Sequence, residues 1–227
     1  MTGEALLTKV FEADSLFLHA DTLFAQQDTA TRQKTYIACH RVRVYKPDLQ
    51  AQCDSLVYST VDSVIWFYSA PILWNDRNQL TAEKISLQLS GNKITTMDLY
   101  ADAFICGMED SLRYNQIKGR QMRGFFNDNR LQRILVTGNG QSVYHIRNKL
   151  KQLTGVNQAA CSDMMIYLDS ARVEKINLIQ APDATLFPIK QTDPSAMRLK
   201  GFAWKGWLQP KSKEDIFSWP LSLNKGD

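Results

Sequence analysis

Apolar and polar residues alternate along most of this chain in short stretches. Residues 42–44, 85–89 and 97–99 are examples in which every second position is apolar. This alternation is typical of β-strands, whose successive side chains point to opposite faces. Segments such as 47–48 (Pro-Asp) and 138–140 (Gly-Asn-Gly) separate the stretches and are typical of turns. No segment of about 11 or more residues has convincing helical periodicity, so the sequence predicts an all-β protein.

A four-residue phrase that recurs five times is the strongest signal in the sequence. It consists of a small residue, a charged residue, a variable residue and a large apolar residue. The copies follow one another after 33, 29, 37 and 43 residues and occupy residues 20–23, 53–56, 82–85, 119–122 and 162–165. The charged residue is Arg120 in one copy and an acid in the other four, Asp21, Asp54, Glu83 and Asp163. We expect these acids to face water or to bond neighbouring backbone amides.

A second phrase follows three of these copies. It places apolar residues at offsets 0, 3 and 5, and its copies begin at Ile94, Leu131 and Val173. The spacing breaks strict alternation once, and a turn end or a β-bulge at that point would restore the inward face. Each repeat is therefore predicted to be one β-hairpin. Because a lone hairpin is not stable in water, the hairpins must stack on one another.

The stacked hairpins predict a row of inward-facing apolar residues. Its members are Leu23, Leu56, Tyr58, Ile85, Leu87, Met97, Leu99, Met122, Ile134, Val136, Met165, Tyr167, Ile176 and Leu178. The row is either an ordinary packed core or the lining of a groove between two β-layers, and periodicity does not separate the two. An open groove could hold an acyl chain, since burying roughly 12 methylenes at about 0.8 kcal/mol each gives on the order of 10 kcal/mol.

Composition excludes several classes of protein. The chain has 227 residues, of which 44% are hydrophobic and 22% charged, so it is not a disordered chain. The net charge of +4 is too small to argue for a nucleic-acid partner. The longest apolar runs are about five residues, whereas a membrane-spanning helix needs about 20. The first 15 residues lack the basic and apolar regions of a secretory signal.

No motif predicts catalysis, a metal or a cofactor. The four cysteines contain no CxxC, and His19, His40 and His145 are far apart in the sequence. There is no nucleophile elbow, phosphate-binding loop or dinucleotide fingerprint. The repeated acids are too sparse for a calcium-binding repeat. The protein is therefore expected not to be an enzyme. Buried thiols are the expected state of the cysteines, with a Cys39–Cys53 disulfide left open.

The two ends of the chain differ from the repeats. From about residue 191 the sequence is rich in Pro, Lys and Trp and the alternation is lost. We expect a β-domain over residues 1–190, and a tail over 191–227 that packs its aromatic residues against the last hairpin or binds a partner. Residues 3–7 look like the end of an outgoing strand. We therefore expect that sequence upstream, including a signal peptide, has been removed.

Four segments together resemble the OstA-like lipopolysaccharide-transport family, in particular its members from Bacteroidetes. They are LHADTL (18–23), TAEKISLQL (81–89), NKITTMDLYADA (92–103) and GFFNDNRLQRILVTGNGQSVYHI (124–146). The resemblance covers about residues 15–180. It implies a twisted, open β-jellyroll of stacked antiparallel strands, and it transfers no catalytic residue.

The resemblance also implies a function. It implies a periplasmic, non-enzymatic carrier that binds lipopolysaccharide (lipid A) and forms part of a bridge to the outer membrane. Association with the outer membrane itself is left open. The 14 residues of the inward row would contact the lipid. Implied partners are other transport components at the inner and outer membranes, and further copies joined head to tail through open strand edges. The alternative is a structural β-solenoid scaffold or a carbohydrate-binding module with a closed core.

Overall fold

The chain forms one large antiparallel β-sheet. The computed structural model describes residues 5–10, 15–75, 77–91, 93–169 and 172–219. The strands are β1 (Ala5–Val10), β2 (Ser15–Ala20), β3 (Thr22–Gln27), β4 (Lys34–Lys46), β5 (Leu49–Ser59), β6 (Val64–Tyr68), β7 (Ile72–Asn75), β8 (Asn78–Thr81), β9 (Lys84–Ser90), β10 (Lys93–Met108), β11 (Tyr114–Asn127), β12 (Arg130–Arg147), β13 (Leu153–Asp169), β14 (Arg172–Ile179) and β15 (Asp183–Pro188). The predicted all-β fold is confirmed.

Sharp corners interrupt the strand paths. In β10, Ala101 and Asp102 have φ of 58° and 46°, and the pairing with β11 changes register between Tyr100 and Ala103. Such left-handed values are uncommon for residues other than glycine. The same two-residue corner recurs at 40–41, 69–70, 138–139 and 180–181.

The first repeated phrase lies in the strand paths beside these corners. The backbone N–H of Asp21 donates to the carbonyl of His40 at 3.0 Å, and the N–H of Glu83 donates to the carbonyl of Ala101 at 3.2 Å. A Cβ atom on Gly119 would lie 2.3 Å from Cγ1 of Val136, so only a very small residue fits there. Each copy of the phrase therefore lies where its own strand turns, beside the corner of a neighbouring strand.

The corners divide the strand paths into halves that form two layers. We call layer 1 the halves at 22–27, 34–39, 55–59, 64–68, 84–90, 93–100, 121–127, 130–137, 163–169 and 172–179. Layer 2 comprises 5–10, 15–20, 42–46, 49–53, 72–75, 78–81, 103–108, 114–118, 140–147, 153–160 and 183–188. One apolar core joins both layers, for example Val44, Leu73 and Ile105 of layer 2 with Leu87 and Met97 of layer 1.

The sheet does not close into a barrel. Within the described residues, β1 pairs with β2 at one end of the strand order, and β14 and β15 pair with β13 at the other. The fold is thus the open β-jellyroll of stacked antiparallel strands that the sequence led us to expect.

Three β-bulges explain the second repeated phrase. The pairing shifts register between Ile94 and Thr96, and equivalent shifts skip Gln132 and Glu174. Each shift falls between the first and second apolar residues of the phrase. The extra residue restores the inward direction of the residues that follow, as predicted.

The C-terminal segment crosses the outer face of layer 2. No β-strand follows Pro188 within the described part of the chain. Leu199 packs with Phe104 and Val143, and the ring of Phe217 lies 5.1 Å from the ring of His19. The expectation that the tail packs on the last hairpin alone is therefore wrong, because it runs back as far as β2.

Buried glutamines hold the tail. The amide nitrogen of Gln116 donates to the carbonyl of Met197 at 2.9 Å, and its oxygen accepts the N–H of Leu199 at 2.9 Å. Gln79 bonds the carbonyl of Ala203 and the N–H of Lys205 in the same way. Each amide gives the backbone of the tail one donor and one acceptor, as the edge of a neighbouring strand would.

Two parts of the terminal predictions lie outside the described residues. They are Gly3 and Glu4 of the expected outgoing strand, and residues 220–227 of the tail. The boundary at residues 190/191 stays a prediction.

Replacing Gln116 by Leu is expected to destabilise the protein by about 2–4 kcal/mol. The substitution leaves the buried N–H of Leu199 unpaired, at about 1–3 kcal/mol, and the part-buried carbonyl of Met197 unpaired, at about 1 kcal/mol. Urea denaturation measures the change. The control is Gln121→Leu on the exposed outer face of layer 1, where an effect within about 0.5 kcal/mol is expected. Equal stability of the two variants would show that these bonds do not hold the tail.

Candidate functional site

Most of the predicted inward row lies in the core between the layers. Its deeply buried members have at most 5% of their surface exposed; they are Leu56, Ile85, Leu87, Met97, Leu99, Met122, Ile134 and Val136. Leu23, Ile176 and Leu178 are half-buried and pack against the same core. Tyr58 is half-buried, with its ring 6.1 Å from that of Tyr36. That these residues contact a lipid stays a prediction.

Two members of the row were assigned to the wrong face. Met164 and Ile166 have no exposed surface and belong to the core, so Met165 and Tyr167 point to the outer face of layer 1. The N–H of Ser162 donates to the carbonyl of Gln180, as the N–H of Asp21 does to His40. The fifth phrase therefore begins at Cys161, one residue earlier than predicted. A one-residue slip reverses every side chain of a strand.

The two layers are in contact along the middle of the interior. Ile85, Leu87 and Leu99 are 0%, 1% and 1% exposed, and they belong to one core cluster with residues of layer 2. A ligand chain can reach these positions only if the layers separate there. Met97, Met122 and Met164 are unbranched and adapt their shape more readily than the other core side chains.

Layer 1 leaves a row of inward-facing apolar side chains half-exposed where its hairpins end. We call this row the mouth; it consists of Ile65, Ile94, Phe126, Leu131, Leu168 and Val173. The hydroxyl of Tyr144 in layer 2 donates to the carbonyl of Val173 at 3.3 Å, so the layers also meet beside the mouth. The apolar interior thus reaches the surface along this edge.

The interior also reaches the surface at the last strands. Leu186 of β15 pairs with Asn157, which pairs with the inward-facing Tyr144, so Leu186 faces inward as well. It is nevertheless 62% exposed. Leu186 is exposed although it faces inward, because β15 is the last strand and no further described strand lies beside it.

A cleft of about 450 Å³ opens beside the mouth. It is lined by Phe125, Phe126, Asn127, Gln132, Arg133, Tyr167, Leu168 and Glu174. The guanidinium of Arg133 lies 4.6 Å from the centre of the Phe125 ring. The sequence did not single out Gln132 or Glu174, although both occupy the break in the second phrase.

Aromatic residues also cluster on the outer face of layer 1. The ring of Trp66 lies 6.1 Å from that of Tyr68 and 5.7 Å from that of Tyr100. The amino group of Lys84 is 4.5 Å from the Trp66 ring and 5.0 Å from the Tyr100 ring. All four side chains are half-buried, so they pack against one another while keeping part of their surface in solvent.

The repeated acids support the corners. Asp21 forms an ion pair with Arg41 at 2.8 Å, and this guanidinium lowers the pKa of the Asp21 carboxyl. A carboxylate oxygen of Asp163 accepts the backbone N–H of Gly138 at 2.8 Å, as the sequence led us to expect. Within the described residues no three His, Cys, Asp or Glu side chains are placed to hold a metal ion.

The cysteines and histidines do not form a reactive group. All four cysteines are free; Cys53 faces the core, whereas Cys39 pairs in register with Ser55 on the outer face. Burial raises the pKa of Cys53 and of Cys106 to about 12. His145 is buried beside Asn115, far along the sheet from the exposed His40. None of the described helices is long and apolar enough to cross a membrane.

Comparison with known proteins yields distant structural likenesses alone. No family model matches the sequence, and no curated protein matches it. Among solved structures the chain is similar to LptH, the LptA-homologous periplasmic component of the lipopolysaccharide transport device of Pseudomonas aeruginosa. The identity is 12%, the TM-score is 0.46, and the match covers 61% of this chain and 92% of that chain. A likeness at this level carries no conclusion about function.

Only Cys39 is expected to react rapidly with a thiol reagent near pH 8. The thiols of Cys53, Cys106 and Cys161 are buried, and burial raises the pKa of each, so these three thiols stay protonated, whereas the thiolate is the reactive form. Titration with Ellman's reagent should give one fast equivalent in the folded protein and four in urea. Cys39→Ser should remove the fast equivalent, and a fast phase that survives this substitution would contradict the assignment.

Proposed function

We propose that this protein is a non-enzymatic carrier that binds lipopolysaccharide through its acyl chains between the two β-layers. The observation that carries the proposal is an apolar interior that extends through both layers, is only half-buried at the mouth and is exposed at Leu186. Covering these residues would raise the free energy of unfolding by about 25 cal/mol per Å² of apolar surface, so stability alone would favour burying them.

The dimensions of the interior suit acyl chains. Neighbouring strands are about 4.8 Å apart, so an extended chain of roughly 12 carbons spans about three strands. The mouth residues Ile94 and Leu131 lie on β10 and β12, which are separated by β11 alone. One chain could therefore contact both before passing inward to Leu99 and Ile134. The closed middle of the interior means that a bound chain replaces contacts between the layers.

The sequence resemblance supports a role for this binding in a transport pathway. In the proposal the protein acts in the periplasm as part of a bridge to the outer membrane, together with transport components at both membranes. Within the described residues, β1, β3, β14 and β15 each pair on one side only, and such edges suit strand addition by another component or by a second copy.

A second candidate function rests on the closed middle of the interior and the outer aromatic cluster. Trp66, Tyr68 and Tyr100 offer partly exposed ring faces beside the amino group of Lys84. A carbohydrate-binding module with a dry core would have these features. Trp66→Ala would abolish glycan binding if this candidate is right, and would leave lipid binding unchanged if it is wrong.

Photo-crosslinking in cells tests the lipid proposal. A photoreactive residue at Ile94, Leu131 or Leu99 should give adducts with lipopolysaccharide, because these side chains face the interior. The control is Gln121, which is exposed on the outer face of layer 1. Adducts at Gln121 as strong as those at Leu131, or no adducts at any inward position, would overturn the proposal.

Proline substitution tests the open edge at β15. Of the adjacent residues Ala184 and Thr185, one points its N–H towards β13 and the other towards the open edge, because successive N–H groups alternate along a strand. Proline at the residue whose N–H points to the open edge should reduce self-association in sedimentation experiments without lowering the melting temperature. Proline at the residue whose N–H points to β13 should lower the melting temperature. An unchanged oligomer distribution in both variants would exclude this edge as a contact.

A further inference from the structure

The cleft beside the mouth joins the outer surface of layer 1 to the apolar interior. Phe125 and Phe126 both line it, and so do Tyr167 and Leu168. In each pair the first residue belongs to the outer face, whereas the second packs against the core. Because neighbouring residues of a strand point to opposite faces, the cleft wraps around the ends of β11 and β13.

Two β-bulges direct polar side chains into this cleft. Gln132 is the extra residue between Leu131 and Arg133, and Glu174 is the extra residue between Val173 and Lys175. Both line the cleft from the strands on either side of β13. The third bulge residue, Thr95, instead donates its hydroxyl to the carbonyl of Gln88 at 3.2 Å. Bulges are common next to binding sites, where they redirect a side chain.

The lining of the cleft combines aromatic rings with charged and hydrogen-bonding groups. Phe125 and Tyr167 supply aromatic surface, and the guanidinium of Arg133 lies over the Phe125 ring. Gln132 and Glu174 supply an amide and a carboxylate, which together donate and accept hydrogen bonds. A saccharide ring matches this lining, because its C–H faces are apolar and its hydroxyl groups both donate and accept.

Other ligands fit this lining less well. A phosphate group alone would be attracted by the guanidinium of Arg133 but repelled by the carboxylate of Glu174, and it would make no use of the aromatic rings. An acyl chain alone would leave the polar ends of Gln132 and Glu174 without partners, at a cost for each group that becomes buried. Neither alternative uses both the aromatic rings and the polar groups of the two bulges.

We infer that the cleft binds a saccharide ring of the ligand's head group, while the acyl chains pass Phe126 and Leu168 into the interior. This inference rests on the proposed function for the acyl half of the ligand. The saccharide half has the same chemistry whether it belongs to a glycolipid or is free in solution. The experiment therefore includes probes of both kinds.

The test measures the binding of three probes to the full chain. They are intact lipopolysaccharide, fully deacylated lipopolysaccharide, and laurate, a fatty acid without sugar. Glu174→Gln and Tyr167→Ala should each weaken the binding of the two saccharide-containing probes about tenfold and leave laurate binding within about twofold. Glu83→Gln, an exposed acid at a corner, is the matched control and should change none of the three. Unchanged melting temperatures confirm that the variants are folded.

The outcomes separate the inference from the proposed function. If intact lipopolysaccharide still crosslinks to Leu131 while Glu174→Gln and Tyr167→Ala bind it as well as the parent does, the saccharide site is wrong and the carrier stands. If laurate binding weakens as much as lipopolysaccharide binding, the cleft is part of the acyl groove and the inference fails. If the parent binds only the deacylated probe, and the variants lose it, the saccharide site stands and the acyl carrier is wrong.

Discussion

The hydrogen-bonded corners are the constraint on which the rest of this structure depends. At each corner two successive residues adopt left-handed backbone conformations, which cost L-residues other than glycine about 1–2 kcal/mol each. The bend is retained because it folds one sheet over its own apolar face. The neighbouring path supplies a small residue that allows close approach, followed by an N–H that bonds the corner carbonyl, as Asp21 does for His40. Arg41 and Asp21 then join the two paths with an ion pair on the outside.

The corners also decide which surfaces need further cover. A sheet folded over itself buries its inner face and leaves two outer faces. Layer 2 has apolar residues on its outer face, such as Phe104, Ile72 and Trp74, and the tail covers them. The buried glutamines at 79 and 116 hold the tail on this face by hydrogen bonds to its backbone. Layer 1 carries no such cover in the described residues, and its outer face bears the half-exposed aromatic cluster around Trp66 instead.

Local signals made much of this fold predictable from the sequence. The recurring phrases predicted stacked hairpins, and the spacing from Ile94 to Met97 predicted a turn end or a β-bulge, of which the register shows the bulge. Met164 and Met165 show the limit of such signals. The phrase selects Met165, because that choice puts Asp163 in the charged position, yet Met164 is the residue that faces inward. The shift by one residue becomes visible only in the bond from the N–H of Ser162 to the carbonyl of Gln180. That partner is 18 residues away along the chain, and no local pattern reports it.

The path of the tail and the cleft were less predictable for the same physical reason. In the sequence, Gln116 has the pattern of an ordinary polar residue of a strand. Its partners in the tail, Met197 and Leu199, lie 81 and 83 residues away along the chain. Gln132 and Glu174 lie 42 residues apart, yet equivalent bulges on the two strands that flank β13 bring them to one cleft. The bulge positions were visible in the sequence. Their convergence depends on strand order, which the repeat lengths alone do not specify.

The closed middle of the interior and the proposed carrier role place opposite demands on the same residues. Separating the layers exposes side chains such as Leu87 and Leu99, and an acyl chain of about 12 methylenes offers on the order of 10 kcal/mol of apolar burial in return. The two layers are not equally free to move. The tail ties the outer face of layer 2 from Gln116 to Arg43, whose guanidinium donates to the carbonyl of Leu208 at 2.7 Å. Layer 1 has no described element across its outer face, and its hairpin ends carry the mouth. In the proposed carrier, the layers would therefore separate by a movement of layer 1 about the corners, because the tail ties the strands of layer 2 together.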